Sequence, residues 1–324
     1  MNIDSKIDLL RQWLSKQLKA PQFEMQALTN DASNRRYFRV MCDGKTSIAV
    51  DALSEKAGIA SFIAKAKIFH DLGLRVPKIF ASDIALGFLW LSDLGDDLYL
   101  RILSQDNRRA LYDLALNTLL IVQSYSVCDF NIFAVYDEAL LRREVMLFIE
   151  WYLSHVVLTT QERTDLEKIF SLLIKTALSQ PQVLVHRDYH SRNLLLLPDK
   201  QLGIVDFQDA VWGPITYDLV SLLRDCYLVL PDELIHDITR KFYQHYSHTY
   251  LKGISYDEFI RWFDWMGLQR HLKVLGLFTR LARRDQKTLY LKDLPRVLDY
   301  VYRVSKKYVE LNSLILILDR ATKQ

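Results

Sequence analysis

The chain has 324 residues, of which 50% are hydrophobic and 25% are charged. This composition is typical of a globular protein, and the length allows one large domain or two lobes. The formal net charge of +3 is too small, and the basic residues are too scattered, to indicate nucleic-acid binding. No apolar run reaches the ~18 residues of a membrane span, and the first residues lack a signal-peptide pattern. We therefore expect a cytoplasmic protein that binds neither nucleic acid nor membrane, and we see no sign of an obligate protein partner.

The first third of the chain predicts a small lobe built around a sheet. Residues 3–19 carry apolar side chains at helical spacing, which predicts an amphipathic helix. A second helix is predicted over residues 57–72, with Gly73 as its C-terminal stop. Short apolar or alternating segments predict five strands, at Glu24–Thr29, Tyr37–Met41, Thr46–Leu53, Lys78–Ala81 and Phe88–Leu91.

The remainder of the chain is mainly helical in pattern, with an interruption over residues 183–209. There the apolar run Leu194–Leu197, a set of turn residues and a second apolar segment over Leu202–Phe207 predict a hairpin. Its two ends carry Asn193 and Asp206, so we expect the hairpin to bring these side chains to one edge.

The same stretch contains H-R-D, then Asn five residues after the Asp, and D-F-Q eighteen residues after that Asp. Phosphoryl transfer needs a carboxylate that holds the acceptor hydroxyl, together with oxygen ligands that hold Mg²⁺ against the nucleotide phosphates. We therefore predict Asp188 as the catalytic base and Asn193 and Asp206 as Mg²⁺ ligands, with ATP as the phosphoryl donor.

A sheet-rich lobe followed by a helical lobe with these motifs predicts an α+β, protein-kinase-like two-lobe fold. Residues 1–93 would form the small N-terminal β-sheet lobe that covers the nucleotide. Residues 94–324 would form the larger, mostly helical lobe with the catalytic and acceptor-binding residues. Leu91, Ser92 and Asp93 lie at the predicted hinge, where backbone groups would face the nucleotide base, and a helix cap is the alternative role for Asp93.

The loop between the first two predicted strands contains small residues and arginines but no glycine. In kinases the corresponding loop covers the nucleotide phosphates. Small residues let backbone N–H groups approach a phosphate, and a guanidinium can form paired hydrogen bonds with phosphate oxygens. Solvated arginines on a turn are the alternative. We predict nucleotide contacts from Asp31, Ala32, Ser33, Asn34, Arg35 and Arg36.

The third predicted strand departs from the general kinase pattern. It should carry a lysine that pairs with the α- and β-phosphates, but Asp51 occupies that position. Since a carboxylate cannot neutralise phosphate, either an arginine of the preceding loop takes this role or nucleotide binding is weak.

The segment after D-F-Q indicates the class of acceptor. The chain turns at once through Gly213-Pro214 into a helix that starts near Tyr217, which leaves no room for the long peptide-binding segment of protein kinases. The acceptor is therefore predicted to be a small alcohol. Asp218 is predicted to be structural, either capping this helix or steadying the catalytic loop.

These motifs also resemble those of a known family. H-R-D-Y-H-S-R-N, D-F-Q-D-A and G-P-I-T-Y-D-L resemble the aminoglycoside phosphotransferase and choline kinase superfamily. More narrowly, the segments Asp31–Arg39, Gly213–Asp218 and Gly267–Gly276 resemble the bacterial cell-wall amino-sugar kinases. Those enzymes phosphorylate N-acetylmuramate and N-acetylglucosamine at the anomeric hydroxyl during peptidoglycan recycling. The resemblance extends from about Leu28 to Arg296, and that family also lacks the strand lysine.

The resemblance implies an amino-sugar substrate, and four residues are candidates for the acceptor pocket. His190 matches the second His of the superfamily loop, where a structural hydrogen-bonding role and an acid–base role are the alternatives to substrate binding. Asp209 and Arg224 follow the metal loop and could reach sugar hydroxyls or, for the arginine, a lactyl carboxylate. Arg270 lies in a polar run on an otherwise apolar helix, where ion pairs between helices are the alternative.

Two other functions stay open at this point. One is a kinase of another small alcohol, such as an aminoglycoside, choline or homoserine. Aminoglycosides are polycations, and the basic run Gln269–Lys273 argues against a pocket for them. The other is a nucleotide-binding pseudokinase that acts as a scaffold, which the missing glycines and lysine favour and the intact Asp188, Asn193 and Asp206 disfavour.

Overall fold

Residues 3–28 and 35–322 are described by the computed structural model. The chain divides into two units. The first comprises Met1–Leu98 together with Leu194–Asp209, and the second comprises Tyr99–Asn193 together with Ala210–Gln324. The predicted hairpin thus belongs to the first unit, whereas the H-R-D loop belongs to the second.

The first unit is built on a five-stranded antiparallel sheet in the order β1-β2-β3-β5-β4. All five predicted strands are present, with small shifts at their ends. The sheet strands are β1 (Glu24–Leu28), β2 (Arg36–Cys42), β3 (Lys45–Asp51), β4 (Ile79–Asp83) and β5 (Phe88–Ser92). The predicted hairpin is also present as β7 (Leu194–Leu196) and β8 (Leu202–Ile204).

An amphipathic helix covers one face of this sheet. In α1 (Ile3–Leu18), the apolar stripe predicted from the spacing buries Leu10, Trp13 and Leu14. These side chains pack against four buried residues of the sheet, Phe38, Val40, Ala49 and Phe88. The predicted helix is confirmed, because its apolar stripe is the part that loses contact with water.

The second helix of this unit, α2 (Ile59–Asp71), ends as predicted. Gly73 has a φ of +80°, a left-handed conformation that costs glycine little. Its N–H bonds to the His70 carbonyl at 2.9 Å, and the Leu74 N–H bonds to the Phe69 carbonyl at 3.1 Å. This paired arrangement is a Schellman cap, which satisfies carbonyls left open at the helix end. The predicted start at residue 57 was too early, because Leu53–Gly58 forms a separate 3₁₀ turn.

The second unit is mostly helical, as predicted. Its two strands, β6 (Gln182–Val185) and β9 (Val211–Pro214), pair antiparallel. Its helices are α3 (Tyr99–Ile102), α4 (Arg108–Gln123), α5 (Glu138–Leu147), α6 (Thr160–Ser179), α7 (Tyr217–Leu223), α8 (Asp232–Tyr246), α9 (Tyr256–Arg283), α10 (Leu294–Ser305) and α11 (Asn312–Ala321). Within the described ranges, none of the helices in either unit combines the length and the apolar character needed to cross a membrane.

The long helix α9 runs through the core of the second unit. A Cβ atom at Gly276 would lie 2.2 Å from the Leu147 backbone, at the end of α5, so only glycine permits this close approach. Nearer the start of α9, Gly267 leaves room for the Arg224 guanidinium. The two glycines of the Gly267–Gly276 motif therefore serve packing, and Lys273 between them contacts Glu144 and Tyr217.

Candidate active site

The H-R-D loop is held by backbone hydrogen bonds to one buried carboxylate. After β6, the N–H groups of His186 and Arg187 donate to the two carboxylate oxygens of Asp218 at 2.6 and 2.9 Å. Arg187 has a φ of +77°, which is uncommon outside glycine and needs such support. Burial raises the pKa of Asp218 to about 7, against the effect of the two N–H donors. Of the two predicted roles for Asp218, the structure supports steadying the catalytic loop.

The far end of this loop is folded back on its beginning. Asn193 Nδ2 donates to the Asp188 carbonyl at 2.9 Å, and the Ser191 N–H donates to Asp225 Oδ2 at 2.9 Å. Asp225 is fully buried and also accepts from the Tyr227 N–H at 2.7 Å. These contacts bring Asp188 and Asn193 together within one short loop.

A buried ion cluster supports the same loop from α5 and α9. Glu144 pairs with Arg187 and accepts a hydrogen bond from the Tyr136 hydroxyl. Lys273 Nζ lies 2.9 Å from Glu144 and 3.3 Å from the Tyr217 hydroxyl. Burial would raise the pKa of Glu144, but Lys273 and Arg187 hold it below its usual range. Because two cations share one carboxylate, the cluster contributes a net positive charge beside the loop.

That positive charge acts on Asp188, whose side chain is 39% exposed. Removal from water would raise its pKa, but the cations Lys273, Arg187 and Arg270 lower it, and His190 adds to this effect only when its ring is protonated. The carboxylate is therefore ionised at neutral pH and able to accept a hydrogen bond from a hydroxyl group.

His190 lies beside Asp188 but is not well placed to exchange a proton at neutral pH. Its Nε2 is 3.9 Å from Asp188 Oδ1, and its ring packs edge-on against Tyr227. Burial lowers the pKa of His190 despite the neighbouring Asp225 and Asp188. The neutral ring is therefore an uncharged neighbour of the Asp188 carboxylate.

The third motif residue, Asp206, lies in the first unit just after the β7–β8 hairpin. Like Arg187, it is a non-glycine residue with positive φ, here +67°. Its Oδ1 accepts a hydrogen bond from Gln208 Nε2 at 2.5 Å. The strained backbone is typical of positions where a side chain must be held in one direction for function.

The donor set of the motif suits Mg²⁺ rather than a softer metal. The Nδ2 bond of Asn193 directs its amide nitrogen to the backbone, so Oδ1 is the atom that the predicted Mg²⁺ contact would use. Asp206, the other predicted ligand, would supply a carboxylate oxygen, and Mg²⁺ prefers such oxygens in small number. Across residues 3–28 and 35–322, no group of three or more His, Cys, Asp and Glu side chains is arranged to hold a metal ion.

Of the six residues predicted in the phosphate loop, Asp31, Ala32, Ser33 and Asn34 lie outside the described residues. The other two pair with carboxylates. Arg35 Nε donates to Glu55 at 2.9 Å. Arg36 directs both Nε and Nη2 to Asp51, its direct cross-strand neighbour. The pairing with Arg36 accounts for the Asp that replaces the strand lysine.

The predicted hinge residues take part in the sheet and its ion pairs. Leu91 is buried within β5. Ser92 exchanges hydrogen bonds with Lys78 through its N–H and its hydroxyl, each at 2.8 Å. Asp93 forms a two-point pair with Arg39, at 2.7 and 3.2 Å, and accepts from the Gly95 N–H at 2.9 Å. The proposed nucleotide contact of these three residues stays a prediction.

The four acceptor candidates are divided between the units. Asp209 is an exposed residue at the end of the first unit, whereas His190, Arg224 and Arg270 belong to the second. Arg224 pairs with the buried carboxylate of Asp264. Its charge is thus engaged inside the helical unit.

Arg270 differs from Arg224 in its partner. It is 4% exposed, and its Nη1 donates to the Cys226 Sγ at 3.2 Å. Among the ion pairs formed by the described residues, none involves Arg270 with a carboxylate. A thiol compensates a guanidinium less well than a carboxylate does, so Arg270 keeps an uncompensated positive charge near Asp188.

The pairing of Arg224 with Asp264 leads to a prediction about stability. Asp264 also accepts from Lys307 Nζ at 3.1 Å and from the Tyr308 hydroxyl at 2.8 Å. Replacing Asp264 with Ala should lower the free energy of unfolding by about 3–5 kcal/mol, because a buried guanidinium is left unpaired. Urea titration at neutral pH measures this change.

Exposed Asp257, in the first turn of the same helix, is the matched control, and its Ala variant should lose no more than about 1 kcal/mol. Burial would raise the pKa of Asp264, but Arg224 and Lys307 lower it overall. The stability that it contributes is therefore present above pH ~4 and lost as the pH falls through the lowered pKa. Equal losses in the two variants would contradict the assignment.

Several supporting residues were missed in the sequence, namely Lys65, Glu144, Asp225 and the role of Lys273. All are charged side chains at positions that the helical or loop pattern assigns to the interior. A charged residue at a position predicted to be buried could have identified them, since a charge is rarely buried without a partner or a function. The sequence pattern does not show, however, which residue is the partner of each buried charge.

The comparisons with known proteins agree with the motifs. The profile of the phosphotransferase enzyme family matches residues 24–258. The N-acetylmuramate/N-acetylglucosamine kinase of Neisseria meningitidis serogroup B is 37% identical over 318 residues, covering 95% of this chain and 94% of that protein. The protein of the same name from Pseudomonas aeruginosa is 36% identical over 331 residues, covering 97% and 96%.

Solved structures are similar in fold at low sequence identity. ADP-bound aminoglycoside phosphotransferase APH(2'')-Ib has a TM-score of 0.64 at 17% identity, covering 91% of this chain and 98% of that one. Choline kinase LicA from Streptococcus pneumoniae has a TM-score of 0.60 at 14% identity, covering 94% and 98%. These similarities confirm the predicted fold class. The match to the family profile and the extent of the sequence identity confirm the resemblance inferred from the motifs, and the chain therefore belongs to the phosphotransferase enzyme family.

Proposed function

We propose that the protein is an ATP-dependent kinase that phosphorylates N-acetylmuramate and N-acetylglucosamine at the C1 hydroxyl, in the recycling of peptidoglycan. The observation that carries this proposal is the ionised carboxylate of Asp188 among cations, on the loop that also holds Asn193. The amino-sugar acceptor is supported by relatives of that name that align with nearly the whole chain. Because such a reaction draws on cytoplasmic ATP, a cytoplasmic location and a small-molecule substrate are part of the proposal.

In the proposed reaction, Asp188 accepts a hydrogen bond from the sugar C1 hydroxyl and orients its oxygen toward the γ-phosphorus of ATP. The new O–P bond forms as the bond between the γ-phosphorus and the bridging oxygen of ADP breaks. The hydroxyl proton passes to Asp188 late in the transfer, and solvent then takes it up. Positioning and electrostatics supply most of the rate in such reactions.

Asn193, through Oδ1, and Asp206 would hold Mg²⁺. When bound, the ion offsets negative charge on the β- and γ-phosphates. The phosphate-loop residues 31–36 and the hinge residues Leu91, Ser92 and Asp93 are the proposed nucleotide contacts. The pairing of Arg36 with Asp51 leaves the backbone of the loop as the main proposed phosphate ligand.

Within the proposed acceptor pocket, Arg270 is the residue suited to a carboxylate. N-acetylmuramate carries a lactyl carboxylate that N-acetylglucosamine lacks. Arg224 is already neutralised by Asp264, whereas Arg270 contacts a thiol and acts electrostatically on Asp188. A carboxylate of the acceptor would therefore complete the charge pairing of Arg270.

Replacing Arg270 with Gln should reduce kcat/KM for N-acetylmuramate about 10- to 100-fold more than for N-acetylglucosamine. This range corresponds to the loss of one hydrogen bond between charged groups, about 1.5–3 kcal/mol. Steady-state kinetics with both sugars measures the ratio. Arg261→Gln, on the exposed face of the same helix, is the matched control and should leave the ratio unchanged. A parallel loss on both sugars would assign Arg270 to support of Asp188 instead.

The proposed function is tested with a panel of acceptors and Mg·ATP, followed by phosphorus NMR of the products. The panel contains N-acetylmuramate, N-acetylglucosamine, an aminoglycoside, choline and homoserine. A phosphate on the anomeric carbon of an amino sugar is the expected product. Turnover of only the aminoglycoside, choline or homoserine would replace the proposed substrate. Nucleotide binding without turnover of any acceptor would favour a scaffold.

A further inference from the structure

One face of α2 is directed at the Asp206-Phe207-Gln208 turn, within the first unit. Phe62 and Phe69 stack on the fully buried ring of Phe207, with centroid distances of 5.1 and 5.2 Å. The two residues are separated by seven positions, about two helical turns, so they lie on the same side of the helix. The Phe207 ring of the metal motif thus packs against side chains from two turns of α2.

Lys65 lies between these two phenylalanines on the same face. Its side chain is buried, with 6% exposure, and Nζ donates to the Gln208 carbonyl at 2.6 Å. The short distance is that of a strong, charge-assisted hydrogen bond. α2 therefore contacts the turn with an apolar pair and with a cation between them.

The turn itself needs such support. Asp206 has a positive φ of 67°, and Gln208 donates from its side chain to the Asp206 carboxylate. A non-glycine residue in this conformation is strained and persists only where its surroundings enforce it. The groups that α2 contacts, Phe207 and the Gln208 carbonyl, directly follow Asp206.

The burial of a lysine at this point has no evident advantage for stability alone. A buried cation loses its solvation by water, and an apolar side chain of similar length is often neutral or stabilising in its place. Phe62 and Phe69 already pack α2 against Phe207. The positive charge at Lys65 must therefore be explained by what it contacts.

At the position in β3 where the general kinase pattern has a lysine, this chain has a carboxylate. Asp51 in β3 pairs with Arg36 and also accepts from the Leu53 N–H at 3.1 Å. Within the described part of the first unit, Lys65 is a buried cation that contacts the metal motif through its side chain. The helix thus brings a positive charge to the motif, whereas the strand position carries a carboxylate that pairs with Arg36.

We infer that Lys65 is a positioning residue for Asp206: by holding the Gln208 carbonyl to α2, it fixes the turn that presents the metal-binding carboxylate. The inference rests on the proposed use of Mg·ATP and adds to it a residue from outside the three motifs. In the general kinase pattern the strand lysine contacts the nucleotide phosphates directly. Lys65 would instead support nucleotide binding indirectly, by positioning the metal ligand Asp206.

The test compares Lys65→Met and Lys65→Arg with Lys67→Met. Lys67 is the matched control, because it lies two residues further along α2 and is 78% exposed, paired with Asp71. Calorimetry measures the Kd of ATP with and without Mg²⁺ for each protein. Hydrogen exchange of the peptide spanning residues 205–209 is followed in the protein without nucleotide or metal.

For Lys65→Met we expect the Kd of Mg·ATP to rise about 10- to 100-fold, the range typical of lost support for a metal ligand. The Kd of Mg-free ATP should change less than about threefold, since the metal ligand is not involved. Exchange over residues 205–209 should become faster. Lys65→Arg, which keeps a donor, should fall between wild type and Lys65→Met, and Lys67→Met should match wild type.

Two results would overturn the inference alone: unchanged Mg·ATP affinity and exchange in a folded Lys65→Met variant, or equal weakening with and without Mg²⁺. The second result would indicate direct contact of Lys65 with phosphate or a general loss of structure. If Lys65→Met does not fold, Lys65→Arg decides by the same two measurements. A wild-type protein that fails to bind Mg·ATP would overturn the proposed function itself, together with this inference.

Discussion

Replacing Asp188 with Asn is expected to lower kcat by about 10²- to 10⁴-fold, the usual contribution of a general base. The substitution keeps the shape of the side chain but removes the negative charge that orients the acceptor hydroxyl and receives its proton. Affinity for the nucleotide should change less than about threefold, because Asp188 acts on the acceptor rather than on the phosphates. Steady-state kinetics and calorimetry with Mg·ATP measure the two quantities separately.

Asp106, an exposed residue of the second unit, provides the control, and Asp106→Asn should retain wild-type kinetics. The pH dependence gives an independent check. The base is active when ionised, and the surrounding cations lower the pKa of Asp188. Its titration should therefore not reduce kcat/KM as the pH falls from 7 to about 4, the ordinary pKa of an aspartate. Normal turnover by Asp188→Asn would refute the assignment of the base.

Replacing Asp206 with Asn should have the second largest effect, a fall in kcat/KM of at least about 100-fold with a strong shift to higher Mg²⁺ requirement. Of the two proposed protein ligands, only Asp206 is negatively charged, so its replacement removes the charge that attracts the ion. Even mutations of residues that only support a metal ligand typically lower metal affinity about 10- to 100-fold. Activity is measured as a function of Mg²⁺ concentration at fixed ATP.

The control for this experiment is Asp199→Asn, at the tip of the same β7–β8 hairpin, where the carboxylate is 49% exposed and pairs with Arg75. It should leave both kcat/KM and the Mg²⁺ requirement unchanged. A fall in kcat/KM that is independent of Mg²⁺ concentration would mean that Asp206 does not hold the ion. In that case another role, such as support of the turn, would have to be assigned to it.

Most of the fold could be predicted from local sequence. The five strands, the amphipathic α1 and the stop of α2 at Gly73 follow from side-chain periodicity and from the conformational freedom of glycine, which act over a few residues. The start of α2 was predicted too early. There, 3₁₀ hydrogen bonding over Leu53–Gly58 precedes the α-helix, and the two helix types share similar local patterns.

The chemistry of the site was predicted in part. The spacing of H-R-D and Asn indicated that Asp188 and Asn193 lie on one loop, and they do, since a loop of this length leaves little freedom. The buried network of Glu144, Lys273 and Arg187 was not predicted. Its members come from segments far apart in sequence, and no local pattern relates them.

The sequence by itself determined the order of the motifs, the helices and strands that carry them, and the family to which the chain belongs. Only the tertiary structure decided which charges meet. The partners of Lys65 and Arg224 are 143 and 40 residues away in the chain, and the buried faces that bring them together depend on packing. Since the cost of a buried charge depends on the partner that it finds, the role of each charged residue became clear only with its contacts.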